Sequence, residues 1–270
     1  MSDLSLDSTQ LDRYSRHIIM DGVGPEGQKA LLDSRVLVVG AGGLGAPIIE
    51  YLAAAGVGTL GIADDDVVER SNLQRQVIHG DGDIGRKKVE SAADFVSRLN
   101  PDITTEPHDC RVAPENVERL IGDYDFVVDG SDNFRTRYLV NDACTLAEVP
   151  FSHGAIYRFE GQVTTFTGKT PCYRCLFPEA PPEGTVPDCA TTGVLGVLPG
   201  VVGSIQATET VKSLMEIGET LDGRLLCYDA MDMTFEELPI SENPDCPVCS
   251  EAGIESVDEV EYAQSCAIAD

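Results

Sequence analysis

An α/β fold with a doubly wound parallel sheet is predicted by three features in the first part of the chain. Val36 to Val39 are four consecutive apolar residues, which is typical of a buried strand. They lead into a G-x-G-x-x-G turn formed by Gly40, Gly42 and Gly45. Pro47 to Ala55 follow as a good helical sequence. A buried strand that feeds a glycine turn and a helix is the Rossmann-like arrangement, which indicates nucleotide binding.

The bulk composition limits the classes of function. The 270 residues are enough for one large α/β domain or two small ones. With 46 acidic against 19 basic residues, the formal net charge of −27 repels nucleic acid and anionic membranes, so no stable nucleic-acid binding is expected. There is no signal-peptide pattern and no apolar run of about 18 residues, so we expect a cytoplasmic protein without a membrane segment. The spread of acidic residues indicates a halophilic source, the alternative being an ordinary acidic protein.

The glycine turn is predicted to bind phosphate through Gly40, Gly42, Gly43 and Gly45. A turn that opens a helix presents free backbone N–H groups and the positive end of the helix dipole. A second apolar strand ends at Asp64, where an acidic residue bonds the ribose hydroxyls in dinucleotide folds. A turn that only packs tightly is the weaker alternative, because a strand and a helix flank it.

A long polar segment follows Asp64. In a dehydrogenase, the chain would be expected to return quickly to its next helix at this point. The amides and the guanidinium of this segment suit phosphate oxygens. The nucleotide-binding candidates in this segment are Ser71, Asn72, Leu73, Gln74 and Arg75.

A helix opened by residues 85–89 is predicted to end near Asn100. Arg86, Lys87 and Lys88 then fall in its first turn, where the helix dipole favours acidic residues. We therefore expect a compensating anion there. The alternative is that these are surface lysines whose side chains extend away from the helix. This alternative fits Lys87 alone better than it fits both lysines.

Asp132 and Asn133 follow the fourth apolar strand, residues 124–129. Ligands of open parallel sheets bind at the carboxyl ends of the strands, so both side chains are expected to face the glycine turn. Asp132 is a candidate for holding Mg²⁺, which takes carboxylate and phosphate oxygens. The alternative is that Asp132 caps a helix over residues 133–148, and the two roles can coexist.

The second half of the chain leaves the strand–helix alternation, with a predicted hairpin over residues 151–166. Beyond it lie two C-x-x-C pairs, made of Cys172 with Cys175 and Cys246 with Cys249. An odd number of cysteines, 9, in a chain without an export signal argues against a disulfide framework. Four thiolates favour a structural, tetrahedral Zn²⁺ site. A redox pair is the alternative, but neither pair is predicted at the start of a helix.

These motifs, in this order, resemble the ThiF/MoeB group of ubiquitin-activating-like adenylyltransferases. The resemblance runs from about Arg13 to Cys249 and includes the segment from Cys189 to Gly193 and onward to Gly196. The length and acidity are similar to those of haloarchaeal members, which serve small archaeal ubiquitin-like modifiers. The resemblance implies a Rossmann-like sheet that continues into an adenylation subdomain with a structural zinc site.

The resemblance also implies a reaction. The C-terminal glycine carboxylate of a small β-grasp, ubiquitin-like or sulfur-carrier protein ending in Gly-Gly attacks the α-phosphate of ATP, which gives an acyl-adenylate and pyrophosphate. Transfer to a thiol or a sulfur donor follows. The expected purposes are protein conjugation, sulfur transfer to tRNA or molybdopterin, or both.

Individual roles follow from the same resemblance. Asp132 would hold Mg²⁺, and Arg75 and Lys88 would neutralise the phosphates. Asn72 would orient the phosphates and Asp64 would hold the ribose.

Two further expectations concern other chains. Arg16 matches the arginine with which members of the group reach into a neighbouring subunit, which implies a homodimer; an ordinary surface arginine is the alternative. No rhodanese-like extension follows Cys249, so a separate sulfur donor is expected. Cys189, a free thiol at the end of a proline-rich loop, is expected to take the activated acyl group as a thioester or persulfide, although the neighbouring Asp188 opposes its ionisation.

The chain divides into four predicted segments. They are an N-terminal helical arm outside the core (1–34), a nucleotide-binding α/β region (35–150), a partner-binding sheet with crossover loop and zinc site (151–249), and an acidic, mobile tail (250–270). Three rival functions stay open. They are a tRNA threonylcarbamoyladenosine dehydratase-like adenylating enzyme, a nucleotide-dependent oxidoreductase and a zinc-ribbon binding module.

Overall fold

The structure, a computed structural model, describes residues 6–179 and 193–262. Cys189 and most of the predicted crossover loop lie outside these residues, so the acyl-transfer role of Cys189 stays a prediction. Among the helices that are described, none has the length and apolar character needed to cross a membrane.

One sheet of eight strands runs through the described part of the chain, in the order β3-β2-β1-β4-β5-β6-β7-β8. Strands β1 to β5 are parallel, and β6 to β8 continue the sheet in antiparallel fashion. This confirms the predicted doubly wound sheet and its continuation into the second half. The strands are β1 (Arg35–Val39), β2 (Thr59–Ala63), β3 (Thr104–His108), β4 (Phe126–Asp129), β5 (Phe151–Tyr157), β6 (Glu160–Phe166), β7 (Arg224–Asp229) and β8 (Thr234–Pro239).

Helices cover both faces of the sheet. The described α-helices are α1 (Ser8–Arg13), α2 (Ser15–Ile18), α3 (Gly24–Asp33), α4 (Gly45–Ala55), α5 (Lys88–Leu99), α6 (Pro114–Ile121), α7 (Phe134–Leu146), α8 (Tyr173–Leu176) and α9 (Leu198–Met215). Short 3₁₀ helices are formed by Arg70–Asn72, Asp81–Asp83 and Val257–Glu259.

The apolar run of β1 is buried on both sides because successive side chains of a strand point to opposite faces. Val36 and Val38 pack with α4, α5 and α9 on one face. Leu37 and Val39 pack with α6 and α7 on the other. All four side chains are buried, which is why this strand shows no alternation of polar and apolar residues.

The predicted hairpin after residue 150 is formed by β5 and β6, with Phe151 opposite Phe166. Helix α9 packs against both strands and against α4. Its approach to α4 is close: a Cβ at Gly203 would lie 2.6 Å from Pro47. Glycine at this position therefore lets α9 lie beside the glycine turn, where Pro199 faces Gly43.

Both ends of the described chain are packed more tightly than expected from the sequence. Tyr14 is buried and accepts a hydrogen bond from Asn100 Nδ2 at 2.8 Å, so the N-terminal segment is not outside the core. In the acidic tail, Val257 is buried and the Tyr262 hydroxyl donates to Asp142 Oδ2 at 2.8 Å. The expectation of a mobile tail is therefore wrong for this part of it.

Candidate active site and metal centre

A cavity of about 280 Å³ opens at the carboxyl ends of β1, β2 and β4, the edge at which open parallel sheets bind ligands. Nine of the residues predicted to bind nucleotide line it. They are Gly40, Gly42, Gly43, Asp64, Asn72, Arg75, Lys88, Asp132 and Asn133. Five predicted residues that the structure describes do not line it. They are Arg16, Gly45, Ser71, Leu73 and Gln74.

The conformation of the glycine turn requires residues without a side chain at two positions. Gly40 has φ of +92°, and a Cβ there would lie 3.0 Å from the Gly130 carbonyl oxygen. A Cβ at Gly45 would collide with the carbonyl oxygen of Gly40. Gly45 therefore closes the turn from behind and begins α4, which explains why it does not face the cavity.

Asp64 connects the second strand to the turn. Its Oδ2 accepts a hydrogen bond from the Ala41 N–H at 2.8 Å, and its Oδ1 accepts one from the Asp66 N–H at 2.9 Å. Burial raises the pKa of the Asp64 carboxyl, and the charge of Lys88 opposes this rise. The predicted ribose ligand thus also holds the phosphate turn in place.

Lys88 is the first residue of α5, and its side chain is buried. Its Nζ donates to Asp66 Oδ2 at 2.8 Å, and the amine faces the cavity. Lys87 precedes the helix and pairs with Asp109 at 3.0 Å, while Arg86 pairs with two other carboxylates. The expectation of three cations inside the first turn was therefore wrong. The anions that compensate these cations in the described chain are its own aspartates.

Helix α7 is capped by Asn133 and not by Asp132. The Asn133 side chain accepts a hydrogen bond from the Thr136 N–H at 2.9 Å, and the helix covers Phe134–Leu146. The alternative interpretation of Asp132 as the cap is thereby corrected. The Asp132 carboxylate is exposed at the wall of the cavity, on the side where Mg²⁺ was predicted.

The polar block after Asp64 divides into two groups. Asn72 and Arg75 face the cavity, and the Arg75 guanidinium donates to the Ser71 carbonyl oxygen at 3.2 Å. Gln74 instead lies against Gly196, close to the start of α9. Arg16 is exposed on α2, away from the cavity of its own chain.

Among the described lining residues that were not predicted, three have a buried polar atom without a hydrogen-bond partner: Gln76, Ser131 and Arg137. Gln76 Oε1, Ser131 Oγ and Arg137 Nε are buried and have no hydrogen-bond partner within the described residues. Arg137 lies one helical turn beyond Asn133, so the spacing of α7 is a signal that points to it. Gln76 directly follows Arg75 and Ser131 directly precedes Asp132, so both are neighbours of predicted residues.

A buried hydrogen bond between a carboxylate and a histidine supports the loop that carries Asp132. Asp129 Oδ2 accepts a hydrogen bond from His153 Nδ1 at 2.9 Å, and Asp129 Oδ1 accepts one from the Ser131 N–H at 3.0 Å. Burial acts to raise the pKa of Asp129, but its contacts with His153, Arg137 and Ser131 together outweigh burial and lower the pKa. The position of Asp132 is therefore set by contacts between β4 and β5.

The four cysteines of the two C-x-x-C pairs meet at one place. Their sulfur atoms all lie within 4.8 Å of one another, with Cys172 and Cys246 at 3.6 Å and Cys175 and Cys249 at 3.3 Å. Sulfur ligands of a tetrahedral Zn²⁺, each about 2.3 Å from the metal, lie about 3.8 Å apart. The residues thus fit a structural zinc site.

Two details refine the cysteine site. Cys172 caps the one-turn helix α8, so the expectation that neither pair begins a helix was wrong. Asn141 on α7 supports this turn, because its Nδ2 donates to Cys172 Sγ at 3.8 Å and its Oδ1 accepts from the Tyr173 N–H at 2.7 Å. The convergence of both pairs still favours a metal over a redox pair.

Solved structures share this fold. E. coli MccB with AMPCPP and MccA superposes with a TM-score of 0.80 at 22% identity, over 91% of this chain and 76% of that one. PaaA superposes with a TM-score of 0.76 at 22% identity, over 90% of this chain and 77% of that one. At these identities the likeness shows the fold alone.

Sequence relatives are much more similar. The SAMP-activating enzyme E1 of Haloferax volcanii is 68% identical over 98% of both chains. The sulfur carrier protein adenylyltransferase of Thermus thermophilus is 51% identical over 90% of this chain and 92% of its own. MoeZ of Mycobacterium tuberculosis, a probable adenylyltransferase/sulfurtransferase, is 50% identical over 98% of this chain and 67% of its own. The ThiF family model matches residues 14–248. The chain therefore belongs to the ThiF family.

Proposed function

We propose that this chain is an ATP-dependent adenylyltransferase that activates the C-terminal glycine of a small β-grasp, ubiquitin-like or sulfur-carrier protein. The observation that carries the proposal is the convergence of Arg75, Lys88 and Asp132 on a cavity closed by the glycine turn. The names of the relatives, an activating enzyme and two adenylyltransferases, support the same activity.

The chemistry needs positioning and charge neutralisation more than acid–base groups. A carboxylate oxygen of the partner forms a bond to the α-phosphorus of ATP. The bond from this phosphorus to the bridging oxygen of the β-phosphate breaks, and pyrophosphate leaves with the electron pair. Arg75 and Lys88 stabilise the charge on the phosphates, and Asn72 orients them. Asp64 accepts hydrogen bonds from the ribose.

Magnesium fits the acidic side of this cavity. The Asp132 carboxylate is exposed there and forms no ion pair within the described chain. Hard cations of this kind bind carboxylate together with phosphate oxygens, so we propose that Asp132 holds Mg²⁺ when ATP is bound. The ion would supply positive charge to the phosphates of the substrate.

An apolar surface beside the cavity fits a protein partner. Met231, Met233 and Phe235, in and after the turn between β7 and β8, are all more than half exposed, and Val197 is 70% exposed. The Ala230 N–H donates to Phe159 O in the β5–β6 turn, and that turn pairs with the segment of Val194, which lines the cavity. We propose that the partner covers this surface and extends its C-terminus past Val194.

The remaining proposals complete this assignment. Cys172, Cys175, Cys246 and Cys249 hold a structural Zn²⁺. Cys189 takes the activated acyl group, and a separate protein donates sulfur.

Arg16 reaches the site of a second copy, so the enzyme acts as a homodimer. Its exposed position on α2, outside the cavity of its own chain, is the observation that supports this role.

The four predicted segments and the cytoplasmic location also stay predictions.

Pyrophosphate–ATP exchange tests the activity. The purified chain, in molar KCl with Mg²⁺, is expected to exchange labelled pyrophosphate into ATP only when a small protein ending in Gly-Gly is present. The same partner without its last glycine is the matched control. The partner proteins are taken from the source organism of the enzyme. Equal exchange with the complete and the shortened partner, or no exchange with either of them, would contradict the proposal.

A further inference from the structure

His79 is a buried side chain to which neither the sequence motifs nor the proposed chemistry assigns a role. Its ring is 5% exposed. Its Nε2 lies 3.1 Å from the Ala41 carbonyl oxygen, within the glycine turn, and its Nδ1 lies 2.8 Å from Ser91 Oγ on α5. His79 does not line the cavity in the described part of the chain, so it contacts the turn from behind.

The hydrogens of these contacts can be assigned. The Ala41 carbonyl only accepts, so Nε2 carries a hydrogen and donates it. Burial lowers the pKa of His79, as does the charge of Lys88, and the ring is therefore neutral at pH 7. In a neutral ring Nδ1 accepts, so the Ser91 hydroxyl donates to it. One tautomer is thus fixed from both sides.

This contact determines where the next amide points. In a trans peptide the carbonyl and the N–H are directed to opposite sides of the chain. Because His79 holds the Ala41 carbonyl behind the turn, the N–H of Gly42 is directed to the other side, where Gly42 lines the cavity. Within residues 6–179 and 193–262, the Gly42 N–H has no backbone acceptor. Asp64 fixes the preceding peptide in the same way, through the Ala41 N–H.

We propose that His79 is a positioning residue that aims the Gly42 N–H at a phosphate oxygen of bound ATP. This inference rests on the proposed function, because it needs a nucleotide in this cavity. The inference predicts different effects on phosphate binding and nucleoside binding, whereas a general loosening of the packing would affect both. Loss of His79 should weaken binding of the phosphates and leave binding of the nucleoside unchanged.

Isothermal titration calorimetry with ATP and Mg²⁺, and separately with adenosine, tests this in molar KCl. For His79→Leu we expect the Kd for ATP to rise about tenfold, which corresponds to one lost hydrogen bond to a charged group. The Kd for adenosine should stay within twofold. His79→Gln offers both a donor and an acceptor and is expected to restore most of the affinity for ATP. His108→Leu, a half-buried histidine outside the cavity, is the matched control and should bind both ligands as the parent does.

The possible results are separable. Unchanged affinity of His79→Leu for ATP overturns the inference, and so does an equal loss of ATP and adenosine binding. If His79→Leu does not fold, Ser91→Ala decides, with an expected rise of about threefold in the Kd for ATP alone. An unmodified chain that binds adenosine but not ATP, or neither, contradicts the proposed function itself and not the role of His79 within it.

Discussion

Asp129 and His153 form a hydrogen bond inside the sheet, with Oδ2 and Nδ1 2.9 Å apart and both side chains almost fully buried. The two residues lie at paired positions of β4 and β5, where the parallel half of the sheet meets the antiparallel half. Because the loop after β4 carries Asp132, this pair connects the packing of the partner-side strands to the wall of the nucleotide cavity.

The first prediction concerns stability. Asp129→Ala removes the acceptor of this buried hydrogen bond and leaves His153 Nδ1 unsatisfied, which costs about 1–3 kcal/mol. Asp132→Ala, three residues further on, removes an exposed carboxylate and should change the free energy of unfolding by less than about 0.5 kcal/mol. Urea unfolding of both variants in molar KCl measures the difference. Equal stability of the two would show that the pair is dispensable.

The second prediction concerns the activity of the Asp132 variant. Asp132→Ala should reduce pyrophosphate exchange at least about 100-fold, because charge stabilisation of the reacting phosphates is lost. Its zinc content and circular dichroism spectrum should match those of the parent. If the variant retained more than about a tenth of the exchange rate, Asp132 would have no essential role in the reaction.

Lys88 is the subject of the third prediction. Its side chain is 8% exposed, whereas that of Lys29, in α3 and outside the cavity lining, is 37% exposed and pairs with Asp33. Lys88→Met should raise the Kd for ATP at least about tenfold, because a charge-assisted contact to phosphate is lost from a site shielded from water. Lys29→Met should have no effect. Titration calorimetry at two KCl concentrations measures both, and similar values for the two variants would argue against a phosphate role for Lys88.

Much of this site could be predicted because its residues lie at the ends of recognisable strands. Glycine turns and carboxylates that follow apolar runs must meet at one edge of a parallel sheet. Asp64 and Asp132 were placed correctly on that basis alone. Short-range geometry was harder. Whether Asp132 or Asn133 caps α7 depends on one residue of helix register, which apolar patterning does not fix.

Contacts between distant segments could not be predicted. His79 and Ser91 have no motif, and their role depends on α5 lying directly behind the glycine turn. The ion pair of Arg174 with Asp142 and the hydroxyl of Tyr262 join three segments that are far apart in sequence. One sequence contains no signal for such pairings, so the packing of the tail against α7 was missed.

The fourth prediction concerns the metal. Chelation of Zn²⁺ should lower the melting temperature, since the site joins the turn after β6 to the segment after β8. Cys246→Ser should bind less than about a tenth as much zinc, measured by elemental analysis. Cys227→Ser, a half-buried cysteine on β7 outside the cluster, is the control and should retain all of it. The assignment would be contradicted if the parent protein, purified without thiol chelators, contained no zinc.

The pH dependence of stability provides the fifth prediction. Burial lowers the pKa of His79, His108 and His153 in the folded chain. In the unfolded chain a histidine titrates near about 6.5. As pH falls below that value, the unfolded chain takes up protons that the folded chain does not, so the folded state loses stability. Above about pH 7 both states are neutral, and these groups contribute no pH dependence.

The free energy of unfolding should therefore fall between pH 7 and pH 5.5, by up to about 1.4 kcal/mol per pH unit for each of the three histidines. Urea titrations at fixed molar KCl measure this, since high salt suppresses changes in the general charge repulsion. His108→Gln removes one of the three groups without touching the cavity and should reduce the slope. An unchanged slope in that variant would contradict the contribution of His108 to the acid sensitivity.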